Sequence, residues 1–94
     1  MYIRKVNDSS HPSYMITDWE GDEQYYIYNN WKREGDKEIY LRHEIYEVSG
    51  GFRKIGQSSQ CGELEVLEGG TLIKDSMRAK VFEFCRKDID LQFH

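Results

Sequence analysis

The sequence predicts an α+β domain spanning residues 1–94: an antiparallel β-meander of about five to seven short strands, with one C-terminal helix at about 75–87 packed on one face. Three observations predict it. Gly-bearing turns recur along the chain at Glu20-Gly21-Asp22, Glu34-Gly35-Asp36, Ser49-Gly50-Gly51 and Glu68-Gly69-Gly70. Large and polar residues alternate between these turns, which is the period of a half-buried strand. After Ser76 the period changes: Met77, Val81, Phe84 and Cys85 fall at i, i+4, i+7 and i+8, one face of a helix.

Cross-strand pairing tests the turns. A two-residue loop at Gly35-Asp36 sets Glu34 against Lys37, Arg33 against Glu38 and Trp31 against Tyr40. Complementary pairs of this kind are worth about 0.2–1 kcal/mol each. A Gly50-Gly51 loop sets Glu47 against Lys54 and Tyr46 against Ile55. A Gly69-Gly70 loop sets Leu67 against Leu72, Val66 against Ile73 and Glu65 against Lys74. A two-residue loop at Gly21-Asp22 would oppose Glu20 to Glu23, so a longer connection is expected there. Strands are therefore expected near 1–6, 13–19, 23–32, 37–48, 52–57, 63–68 and 71–74. Asn7 to Ser13 is polar, holds Pro12 and reads as a connection.

Asp75 or Ser76 can cap the helix, and Arg86 and Lys87 suit its C-terminal end. Phe82 lies off the apolar stripe. The same stretch also reads as a strand with Arg78, Lys80, Phe82, Phe84 and Arg86 on one side. Ile89, Leu91 and Phe93 alternate, which is the pattern of a last short strand.

The central hairpin carries large residues on both faces. With a continuous register, one face holds Tyr26, Tyr28, Ile39, Leu41 and Ile45, with Asn30 and His43, and is the better core face. The other holds Tyr25, Ile27, Trp31, Tyr40 and Tyr46, with Asn29, Arg42 and Glu44. A solvent face of an antiparallel sheet is usually polar. Either the N-terminal strands or a second copy of the chain covers this second face, or it binds a partner.

Charge narrows the partner. The net charge is −4, and Asp18 to Glu47 holds nine acids against four bases. Phosphate recognition needs the opposite balance, so nucleic acid is disfavoured. The chain has 38% hydrophobic residues and no run of about 18 apolar residues, so no membrane helix is expected. The start MYIRKV lacks the apolar core of a signal peptide, and a cytoplasmic, reducing setting follows, with Cys61 and Cys85 free.

Chemistry-bearing constellations are sparse. His11, His43 and His94 are not brought together by their spacing. His43, between Leu41 and Ile45, reads as a core-edge histidine satisfied by a hydroxyl or carboxylate. Asp18, Glu20, Asp22 and Glu23 lack the spacing of a calcium loop and read as a solvated acidic turn. No Cys/His set has zinc spacing, and no phosphate loop or nucleophile elbow occurs. No metal or cofactor and no enzyme activity are expected.

The leading expectation is a non-catalytic protein-binding domain: a small acidic inhibitor, of the phage or plasmid anti-defence or toxin-immunity type, that occludes a basic nucleic-acid-binding site on a protein partner. Its expected binding residues are Tyr25, Trp31, Tyr40 and Tyr46 with Asp18, Glu20, Asp22, Glu23 and Glu44. The alternatives are a metal-independent RNase or toxin using His43, and a homodimeric structural or single-strand nucleic-acid-binding sheet.

Overall fold

Among the described residues, six runs of alternating residues fold into strands, and the 3.6-residue period after Ser76 folds into one helix. The computed structural model describes residues 1–7, 12–58, 63–67 and 72–93. The strands are β1 (Tyr2–Lys5), β2 (Tyr14–Thr17), β3 (Gln24–Glu34), β4 (Lys37–Glu47), β5 (Arg53–Ser58) and β6 (Leu64–Val66), followed by α1 (Met77–Phe93). All neighbours are antiparallel and the sheet order is β1-β2-β3-β4-β5-β6. The expected meander with one C-terminal helix is the fold observed.

The β3–β4 turn forms as its pairs require. Glu34 faces Lys37, Arg33 faces Glu38 and Trp31 faces Tyr40. Gly35 takes φ 60°, the left-handed value that the first position of a two-residue loop can demand. Past Trp31 the register shifts: Asn30 faces Arg42, so Leu41 is an extra residue in β4. A bulge of one residue exchanges the faces of everything beyond it. Tyr25, Ile27 and Asn29 therefore share a face with His43, Ile45 and Glu47, while Tyr26, Tyr28 and Asn30 share the other with Arg42, Glu44 and Tyr46. This corrects the continuous-register reading. Tyr25 and Ile27 belong to the core, and Tyr26 and Tyr28 lie on the opposite face.

The β4–β5 pairing also departs from expectation. Glu47 faces Arg53 and Tyr46 faces Lys54, with a second bulge that leaves Ile55 as the extra residue. Phe52 stacks on Tyr46 at 4.7 Å instead of extending the strand. The backbone N–H of Val48 bonds to the Gln24 carbonyl at 2.8 Å, tying this loop to β3. The bulge lets Ile55 reach the core while Gly56 faces Ile45. The Gly69-Gly70 turn lies outside the described residues. Residues 72–74, expected to form its second strand, are not strand, and Ile73 is exposed.

The helix reading holds, but its end does not fall at 87. α1 continues to Phe93, so the stretch expected as a last strand is helical. No Gly or Pro interrupts 88–93, and Ile89 extends the stripe of Val81 and Cys85 by one more turn. Arg86 and Lys87 thus lie inside the helix. Of the two caps expected, Ser76 serves: its Oγ accepts the Ala79 N–H at 3.2 Å. Asp75 precedes it with φ 64°.

The core lies between α1 and one face of the sheet. Tyr14, Ile16, Tyr25, Ile27, Ile45 and Ile55 meet Val81, Phe82, Cys85 and Ile89. Each buried aliphatic or aromatic side chain contributes about 1.5–3 kcal/mol. Phe82, expected off the stripe, is buried because Gly56 makes room for it. A Cβ on Gly56 would come within 2.7 Å of the Phe82 ring.

Two buried polar sets punctuate this core. His43 Nε2 lies 2.6 Å from Asp88 Oδ2, and the Tyr14 hydroxyl donates to Asp88 Oδ1 at 3.5 Å. The His43 N–H donates to Ser58 Oγ at 2.8 Å. The His43–Asp88 pair ties the middle of β4 to α1. Asn29 Nδ2 donates to the Pro12 carbonyl, and the Asn29 N–H donates to Ser13 Oγ at 3.3 Å. These bonds pin the connection before β2 onto β3.

Candidate functional site

With α1 on one side, the other side of the sheet has no covering element among the described residues. Among the described residues, three ring pairs cross it. Tyr2 and Trp19 meet edge-to-face at 4.5 Å at the β1 side. Tyr26 and Tyr28 stack at 6.3 Å on β3. Tyr46 and Phe52 stack at 4.7 Å at the β4–β5 loop. Trp19 is 70% exposed and Phe52 64%. Aromatic pairs gain from contact with one another beyond area burial, which holds exposed rings in fixed poses.

The polar residues between these rings are organised around Glu44. It is buried although it lies on the helix-free side, because Lys54 Nζ reaches its Oε2 at 2.7 Å and the Tyr46 hydroxyl donates to it at 3.0 Å. Burial pushes the Glu44 carboxyl up, but the bonds from Lys54 and Tyr46 and the charges of Lys54 and Arg42 outweigh it and hold the group below its ordinary value. Burial, with the bond to Glu44, raises the Tyr46 phenol.

The acidic turn stands at one edge of this surface. Asp18, Glu20 and Asp22 can bring one carboxylate oxygen each within 4.8 Å of the others. Trp19 projects from the middle of the same turn. The turn is closed by backbone bonds from the Asp18 N–H to the Glu23 carbonyl at 3.1 Å and from the Gly21 N–H to the Asp18 carbonyl at 3.3 Å. It is the longer connection that the Glu20/Glu23 conflict required.

Next to Glu23 the surface opens into a cleft of about 530 Å³, lined by Glu23, Tyr25, Glu47, Ser49, Ile73, Ser76 and Arg78. Arg78 donates to Glu47 Oε2 at 2.6 Å, and Arg53 reaches Glu47 Oε1 at 3.4 Å. The Tyr25 hydroxyl donates to Glu23 Oε2 at 3.0 Å. Burial first, then the bond to Glu23, pushes the Tyr25 phenol up to about 12. A second, smaller cleft lies on the helix-free side between Tyr2, Arg4, Met15, Thr17 and Gln24.

The expected binding residues thus divide. Glu20, Asp22 and Glu23 are exposed and Asp18 half-buried in the acidic turn. Tyr46 is half-buried on the helix-free side. Tyr25 is only 2% exposed and presents its hydroxyl edge to the cleft, and Glu44 is 7% exposed, so neither belongs to an exposed ring-and-acid surface. Trp31 is half-buried on the outer arm of the β3–β4 hairpin, opposite Tyr40 in register. The Tyr40 side chain, Cys61, His11 and His94 lie outside what the structure describes. His43 is fully buried against Asp88 and lines neither cleft. Cys85 is free and buried in the core, and that burial raises its thiol.

Tyr2, Trp19, Tyr26, Tyr28 and Phe52 are additions that the sequence reading missed. Trp19 was legible: a tryptophan between two acids in a tight turn has no core to enter. Tyr26 and Tyr28 were hidden by the Leu41 bulge.

No family model matches this chain, and no curated protein or solved structure matches it either. Among the described residues no helix is long and apolar enough to cross a membrane.

Proposed function

We propose that the chain is a non-catalytic protein-binding domain whose helix-free face and adjoining acidic turn occlude a basic, nucleic-acid-binding site on a cytoplasmic partner. The observation that carries this reading is the conjunction of exposed rings and converging carboxylates. Trp19, 70% exposed and braced by Tyr2, stands in the same turn as Asp18, Glu20 and Asp22. Binding hot spots are built from large rings that are shielded from water on docking, and rim acids steer a basic partner toward them. The packing of His43 supports a structural use of the histidine rather than acid–base chemistry, since its ring is enclosed with Asp88.

The test is affinity capture in the native host with the wild-type chain, Trp19→Ala and Asp22→Lys. Wild type is expected to retain one stoichiometric partner, and both variants to lose it. Association is expected to slow as salt rises, because steering between exposed charges is screened beyond about 8–10 Å at physiological ionic strength. Absence of a stoichiometric partner, or capture indifferent to both substitutions, would overturn the proposal.

A further inference from the structure

The cleft beside the acidic turn is chemically unlike the ring-bearing face. Its walls are rich in hydrogen-bond acceptors. Glu23 is exposed, and its carboxylate accepts from Tyr25 at Oε2 with acceptor capacity to spare. Ser49 Oγ accepts the Gln24 N–H at 3.2 Å and Ser76 Oγ accepts the Ala79 N–H at 3.2 Å, which leaves each hydroxyl oxygen a second acceptor position. The cation that lines the cleft, Arg78, is engaged by Glu47 at 2.6 Å. Arg78 demonstrates the fit internally: its guanidinium sits against a carboxylate and the Tyr25 phenol.

The lining also holds one apolar side chain that meets solvent. Ile73 is 70% exposed at the cleft, in a stretch where other bulky aliphatic residues find cover. An exposed isoleucine in the same cleft as an exposed carboxylate suits a ligand with an aliphatic stem and a cationic head. Arg and Lys side chains have that construction, burying the stem and keeping the charge hydrated or paired. The cleft also adjoins the acidic turn, since Glu23 closes that turn through its carbonyl.

From these observations we infer that the Glu23–Ile73 cleft is an anchor pocket for one arginine or lysine side chain of the protein partner. The inference rests on the protein-binding reading and deepens it: the cleft supplies register, and the ring-bearing face supplies area. The cation's N–H groups donate to Glu23, Ser49 and Ser76, and the stem lies along Ile73. Glu47 is held by its own arginines and serves to position Arg78.

The test uses ¹⁵N-labelled protein titrated with N-acetyl-Gly-Arg-Gly-amide, with the Gly-Gly-Gly peptide and free spermidine as comparisons. The arginine peptide is expected to shift the Glu23, Ser49, Ile73 and Ser76 amides in a saturating manner. Glu23→Gln is expected to weaken that effect about tenfold, the loss of one charge-assisted bond. Glu23 is exposed, so this variant keeps the fold. Shifts confined to residues 18–22, or unchanged by Glu23→Gln, would overturn the pocket. Spermidine matching the peptide signal for signal would overturn its assignment to a side chain. Partner capture that fails with Asp22→Lys but survives Glu23→Gln would remove the pocket and leave the protein-binding reading standing.

Discussion

Removing the Asp88 carboxylate should expose how the helix is fastened to the sheet. Asp88 holds His43 Nε2 at 2.6 Å, and both residues are buried. Asp88→Ala leaves an imidazole N–H with its carboxylate gone and with no room for bulk water. An unsatisfied buried polar group costs about 1–3 kcal/mol, and both His43 and the Tyr14 hydroxyl lose a partner. The expected loss is therefore about 3 kcal/mol, which for a domain this small lowers Tm by about 12–24 °C. Asp88→Asn keeps an acceptor oxygen and should lose only about 1–1.5 kcal/mol, the worth of charge assistance in the bond. Replacing both partners, His43→Leu with Asp88→Leu, should recover part of the single-variant loss, because the His43 ring is no longer left without its partner and only the Tyr14 hydroxyl loses its acceptor. Urea denaturation followed by tryptophan fluorescence and far-ultraviolet dichroism measures all four proteins. If Asp88→Ala loses less than about 0.5 kcal/mol, or if the double variant is no more stable than Asp88→Ala, the pair is not the fastening described.

Three further outcomes follow from the packing and the titrating groups. Gly56→Ala drives a methyl within 2.7 Å of Phe82 and should cost about 1–3 kcal/mol; combining it with Phe82→Leu should give a loss smaller than the two single losses added, as read from denaturation midpoints. The Tyr25 phenol sits at about 12, above its unfolded value near 10, so its contribution is complete below pH 10 and disappears as pH climbs through 12. Absorbance at 295 nm should show a late-titrating phenol that Tyr25→Phe removes; an unchanged titration would refute this. Glu44 is held below its ordinary value, so its contribution is present at neutral pH and lost as pH falls through its folded titration. Lys54→Met, which removes the partner at 2.7 Å, should cost about 1–3 kcal/mol at neutral pH and progressively less in acid, as measured by urea midpoints across pH.

The strand order was legible because turn chemistry and charge pairing agree. Gly35, with Glu34/Lys37 and Arg33/Glu38 on either side, leaves one sensible register. The faces were not legible. One added residue, Leu41, carries no compositional mark, yet it exchanges Tyr25 and Ile27 with Tyr26 and Tyr28. Alternation within a strand says which residues share a face; it does not say which face of the neighbouring strand they join. The Ile55 bulge has the same effect on β5. The helix end was misplaced because Ile89 satisfies both a period of two with Leu91 and a period of four with Cys85. Packing against the sheet decided for the latter, and Ile89 is buried. Phe82 was misjudged because its place depends on a glycine in a distant strand. Of the candidate site, the acidic turn was legible, since four acids around one glycine favour solvent, and three of them are exposed while Asp18 is half-buried. The ring-bearing face depends on the bulge, which is not written in local sequence, and the Glu23 cleft depends on how the start of α1 meets β3 and β4, which only the tertiary packing sets.

On the proposed function, the helix-free face and its acidic turn meet the partner while the outer side of α1 does not. Photo-crosslinking in the native host tests it most directly, with a benzophenone side chain placed at Trp19, at Tyr28 or at the exposed Glu83 of α1. One protein should crosslink from positions 19 and 28 and not from 83. Equal crosslinking from all three positions, or from 83 alone, would contradict the account.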